Sequence, residues 1–119
     1  PVMNISPDGQ KLVIFTGIDL RIVDVATGQK RTLSLNYDSE PAITSLMFTN
    51  DGSALIYTLT PLYSGQDAEG RLVIQNASTG ENLKALDVGA FTNVALTENG
   101  QELIFGSVAR EVISIWGIQ

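Results

Sequence analysis

Ser6-Pro7-Asp8-Gly9, Thr49-Asn50-Asp51-Gly52 and Thr97-Glu98-Asn99-Gly100 are the three stretches that decide the fold. Each ends in Asp-Gly or Asn-Gly with apolar residues on either side. Glycine supplies the positive φ of a tight turn and the preceding Asp or Asn tolerates it, so each stretch predicts a β-hairpin. From glycine to glycine the spacings are 43 and 48 residues, so one unit is repeated.

The flanks repeat with the turns. Met3-Asn4-Ile5, Leu46-Met47-Phe48 and Val94-Ala95-Leu96 precede them as first strands, and Leu12–Phe15, Leu55–Tyr57 and Leu103–Phe105 follow as second strands. The second strands are almost continuously apolar, as expected of strands covered on both faces. Third strands follow at Leu20–Asp24, Leu72–Asn76 and Ile113–Gly117, and two copies then turn at Ala26-Thr27-Gly28 and Ser78-Thr79-Gly80. More polar fourth strands are expected near Gln29–Leu35 and Asn82–Val88, because an exposed sheet edge needs polar cover. No stretch has a 3.6-residue apolar period, so no helix is expected.

Each copy is therefore a four-stranded antiparallel meander, and such sheets repeated every 40 to 45 residues or so indicate an all-β fold of β-propeller blades. The blades run over about residues 1–38, 39–89 and 90–119 of a single partial propeller domain. Ser6-Pro7-Asp8-Gly9-Gln10-Lys11-Leu12, Asp19, Leu20–Asp24, Ala26-Thr27-Gly28 and Ile113-Ser114-Ile115-Trp116 together resemble the WD-repeat family, over nearly the whole chain. The family's Gly-His pair is absent. Val23 and Gln75 stand where its tryptophan would be, and Asn76 and Gly117 stand where its aspartate would be. The family's buried Asp–His–Ser/Thr–Trp network is therefore not expected. Trp116 occupies the family's tryptophan place, and packing between blades is its expected role.

Three blades do not close a ring, since propellers take about four to eight. The third copy stops at Ile118-Gln119, after its third strand and without an outer one. The expectation is that these are the last blades of a ring of about six to eight. Remaining blades, or a second copy of the chain, would close it.

Composition limits the chemistry. With no histidine and no cysteine among 119 residues, the chain has no Ser-His or Cys-His pair, no disulfide and no thiolate metal site. Asp8, Asp51 and Asp24 are expected as turn and strand-end residues. Gln66, Asp67 and Glu69 do not make the alternating oxygen pattern of a Ca²⁺ loop. No catalytic residue, cofactor or metal is expected, and the protein is expected not to be an enzyme. A net charge of −6 argues against nucleic acid and favours a neutral or basic protein partner. The longest apolar run is strand-sized, so membrane insertion is not expected. Absent cysteine slightly favours a cytoplasmic location, with a bacterial periplasm or cell surface left open.

One deviation stands out. Gly9 to Asp24 is 15 residues, whereas Gly52 to Asn76 is 24, so nine residues have been added in the loop Thr60–Gly70. Loops carry function more often than their scaffold does. Leu62, Tyr63, Gln66, Asp67 and Glu69 are the candidate partner-binding residues there, with Tyr37, Asp38 and Glu40 in the connection between the first and second copies. The resemblance implies a scaffold for protein–protein interaction. Two alternatives stay open: a ligand-binding or enzymatic propeller whose central site lies mostly outside this segment, and a structural segment of a large complex.

Overall fold

The computed structural model describes residues 2–33, 35, 41–61, 69–89, 93–98, 100–107 and 112–117, with 112–117 described as backbone. They form three antiparallel sheets. The first contains β1 (Val2–Ile5), β2 (Lys11–Phe15), β3 (Leu20–Asp24) and β4 (Lys30–Leu33), in that order across the sheet. The second contains β5 (Pro41–Phe48), β6 (Ala54–Pro61), β7 (Glu69–Asn76) and β8 (Asn82–Gly89). The third is three-stranded among the described residues, with β9 (Asn93–Leu96), β10 (Glu102–Ser107) and β11 (Val112–Gly117). The expected all-β meanders are present.

The three hairpins share one construction. Ser6, Thr49 and Thr97 each donate their amide to the carbonyl five residues on, at 2.8, 2.9 and 3.0 Å. Gly9, Gly52 and Gly100 donate back to those same three residues, and their φ values of 74°, 74° and 72° need glycine. The turns also stand against one another. Pro7 Cδ approaches the place a Cβ would take on Gly52, and the Asn50 side chain occupies the place of a Cβ on Gly100.

Alternation along β6 shows how the sheets stack. Leu55, Tyr57 and Leu59 join Val13, Phe15, Leu20, Ile22 and Leu33 of the first sheet in one core. Ala54 and Ile56 join Val94 and Leu103 of the third sheet in another, with Leu72, Ile74 and Val88. Leu55, Ile56 and Tyr57 are all 0% exposed, so the central sheet is covered on both faces. The first sheet is not. Val13 and Phe15 are buried, but Leu12 and Ile14 between them are half-buried, and Met3 and Ile5 on the same face are 56% and 53% exposed. The nearly continuous apolar run of β2 is a two-faced pattern with one face uncovered.

Sequence spacing places one element short. The first strand of the second copy is expected at Leu46–Phe48 but begins at Pro41. A bulge between Ile43 and Ser45 breaks the alternation that marks the rest of the strand, and a proline is tolerated as a first strand residue. β6 and β7 likewise run further than expected, and the connection between them shrinks to 62–68.

Gly9→Ala and Gly100→Ala separate the two demands on a turn glycine. Both carry the positive-φ cost of about 1 kcal/mol. At Gly9 a Cβ has open space, whereas at Gly100 it would lie 2.6 Å from Asn50 Cγ. Gly100→Ala is expected to lose more stability in chemical denaturation, and Asn50→Gly is expected to remove the difference.

Candidate functional site

The inner strands β1, β5 and β9 are joined by side chains rather than by a continuous ladder. Asn4 Nδ2 donates to Leu46 O at 3.0 Å, linking the first sheet to the second. Ser45 Oγ accepts from Val94 N at 3.0 Å, linking the second to the third. The bulge makes the second link possible. It leaves Thr44 as the extra residue, with its hydroxyl 2.5 Å from that of Thr58. Thr58 Oγ1 also accepts from Ser45 N at 3.1 Å. Asn4 and Ser45 thus link neighbouring sheets, whereas Thr44 bonds Thr58 within the second sheet.

The aspartates are turn locks. Asp8 Oδ1 accepts from Ser6 Oγ at 2.6 Å and Gln10 N at 3.0 Å. Asp51 Oδ1 accepts from Thr49 Oγ1, Ser53 N and Ser53 Oγ at 2.8, 3.0 and 2.7 Å. The Ser53 amide and hydroxyl, with Thr49, hold the Asp51 carboxyl down at about 2; the Ser6 hydroxyl and the Gln10 amide lower Asp8 in the same way. Asp24 and Asn76 cap the next turn identically. Each side-chain oxygen accepts the amides two and three residues on, at 2.8 to 3.1 Å. No group of three or more metal-ligating side chains occurs among the described residues.

One buried polar chain escapes the sequence reading. Tyr57 OH donates to Gln75 Oε1 at 2.8 Å, and Gln75 Nε2 donates to Gly80 O at 2.7 Å. It ties β6 through β7 to the turn before β8, from the position where the resembled family has its tryptophan. The signal was Gln75 itself, a polar residue closing the apolar run Leu72-Val73-Ile74. Burial pushes the Tyr57 hydroxyl up to about 12, with Arg71 opposing.

The expected partner-binding residues Tyr37, Asp38, Glu40, Leu62, Tyr63, Gln66 and Asp67 lie outside the described residues. Glu69 opens β7, where its backbone pairs with Gly89. The strand ends beside these segments are described, and they lie together. Pro41 pairs with Pro61 and Glu69 with Gly89, so segments 34–40, 62–68 and 90–92 all join the second sheet at one end.

No family model matches the chain, and no curated protein matches it in sequence. Solved structures do resemble it. The β-propeller domain of the Trilobed protease from Pyrococcus furiosus is 15% identical with a TM-score of 0.70, covering 99% of this chain and 40% of that one. The acylaminoacyl peptidase of Pyrococcus horikoshii is 14% identical with a TM-score of 0.72, covering 98% of this chain and 23% of that one. A chain in the Mitotic Checkpoint Complex is 14% identical with a TM-score of 0.60, covering 98% and 45%. The chain thus spans less than half the length of each. The three sheets are blades of a partial β-propeller.

These likenesses correct the expectation that the protein is not an enzyme. Structures of this build are parts of a protease and a peptidase. Missing histidine and cysteine describe only the residues of this chain, which matches a minority of each enzyme's length, and that is why the inference failed.

Two stability predictions follow from the locks and the buried chain. Asp51 is held below its ordinary value, so its contribution is present above about pH 4 and is lost as pH falls towards 2. Melting temperature should fall over that range more steeply in the wild type than in Asp51→Ala. Tyr57→Phe takes one partner from Gln75 and should cost about 1 to 2 kcal/mol at neutral pH. Because the Tyr57 hydroxyl is raised in the fold, the wild type should also lose stability as pH rises from about 10 through 12. Denaturant titrations of the Phe variant should show less of that alkaline loss.

Proposed function

We propose that the chain supplies consecutive blades to a β-propeller that engages polypeptide at the rim where segments 34–40, 62–68 and 90–92 join the second blade. The observation that carries the reading is the pairing of Pro41 with Pro61 and of Glu69 with Gly89, which gathers three connections at one end of one sheet. Leu62 and Tyr63 are the apolar anchors in this reading, since aromatic residues are enriched at interfaces. Gln66, Asp67, Glu69, Tyr37, Asp38 and Glu40 make its polar surround, suited to a neutral or basic segment. A further blade, from the same polypeptide or from a second copy, covers Met3 and Ile5.

A protease and a peptidase among the similar structures favour a second reading of the same rim. The polypeptide engaged there is then a substrate, and the bond-breaking groups belong to residues other than those of this chain.

The test replaces residues 62–68 with a turn as short as Thr16-Gly17-Ile18-Asp19, which joins β2 to β3. Binding is read on a peptide array. The replacement should cut the signal tenfold or more while leaving the melting temperature nearly unchanged. An unchanged array signal would remove this rim from the function.

A further inference from the structure

At the opposite end of the first two blades, an open cleft of about 420 Å³ lies between the outer strands of the first blade and the turn after β7. Ile22 and Ala77, both buried, form its apolar floor. Lys11, Lys30 and Arg31 line it with Asp24, so the cleft gathers three of the seven basic residues of a chain whose net charge is −6. Asp24 is the cross-strand neighbour of Lys11, but its Oδ1 already accepts the Ala26 and Thr27 amides. Arg21 forms an ion pair elsewhere, with Asp19 at 3.4 Å. Strand alternation sets Arg31 beside Ile22, on the face towards the second blade, and Lys30 on the outer margin. β4 is the edge strand of its sheet, so the cleft opens sideways to an extended chain.

The geometry points to a binding site for an acidic polypeptide segment, whose carboxylate or phosphate oxyanions Lys11, Lys30 and Arg31 receive. A short segment suits the charge distribution better than a nucleic acid or an anionic membrane. Over a Debye length of about 8 to 10 Å the segment meets Lys11, Lys30 and Arg31, offset in part by Asp24 and by Asp8 near Lys11. A long polyanion would also meet the acidic remainder of the molecule. This site stands apart from the proposed rim, on the other end of the sheets, and does not depend on it.

Fluorescence anisotropy at low ionic strength tests the site, with labelled hexaglutamate, a phosphoserine peptide and hexaglutamine of equal length. The protein should bind one or both acidic peptides and not hexaglutamine. The stronger of the two identifies carboxylate or phosphate as the recognised group. The triple variant Lys11→Gln/Lys30→Gln/Arg31→Gln should weaken that binding roughly tenfold or more, and Arg31→Gln alone roughly threefold, as expected for partly exposed charge contacts. A charge-matched control, Arg21→Gln/Arg71→Gln/Lys84→Gln, should stay within about twofold of the wild type. No binding of either acidic peptide would overturn the proposal. So would equal losses in the two triple variants, or an Arg31→Gln protein that keeps its fold and its full affinity.

Discussion

A sheet that is apolar on both faces has to be covered on both, and the rest of this structure follows from that constraint. The second blade meets it with Leu55, Tyr57 and Leu59 turned to one neighbour and Ala54 and Ile56 to the other. Fully burying a large aliphatic or aromatic side chain contributes about 1.5 to 3 kcal/mol, so each face of this blade contributes several times the worth of any one hydrogen bond in the molecule. The polar links act within that frame. Asn4 and Ser45 join neighbouring inner strands where the blades come closest, and the bulge in β5 brings Ser45 into line with Val94. The packed turns, Pro7 by Gly52 and Asn50 by Gly100, repeat the same neighbour relation at one end of the blades.

Charge is divided differently from what the total suggests. A net charge of −6 led to an expected neutral or basic partner, yet Lys11, Lys30 and Arg31 converge on one cleft. Some of the carboxylates behind that total are structural, since Asp8, Asp24 and Asp51 hold turns closed through backbone amides and hydroxyls. The cleft is a local basic cluster, set at the same end of the blades as the hairpin turns that carry Asp8 and Asp51.

Legibility in the sequence followed periodicity. The hairpins were plain because Asp-Gly and Asn-Gly recur beside apolar runs, and their glycines do carry positive φ. The third strands fell where Leu20–Asp24 and its counterparts placed them. The start of β5 was hidden because the bulge at Ile43 and Ser45 scrambles alternation. Gln75 was read as a departure from a family pattern, although its place within an apolar run marks a buried polar partner. The uncovered face of the first blade is written in Met3, Ile5, Leu12 and Ile14, but only stacking shows that the second blade covers the opposite side. The basic cleft was illegible, because Lys11 and Lys30–Arg31 come together only through the pairing of β2, β3 and β4.

The most direct measurement is the unfolding free energy of Leu55→Ala and Ile56→Ala by chemical denaturation. These neighbours on β6 face opposite blades. Covering on both faces predicts that each variant loses about 2 to 5 kcal/mol with an unchanged denaturant slope. A loss below about 1 kcal/mol for Ile56→Ala, beside a large loss for Leu55→Ala, would contradict it. The third sheet would then not cover the second.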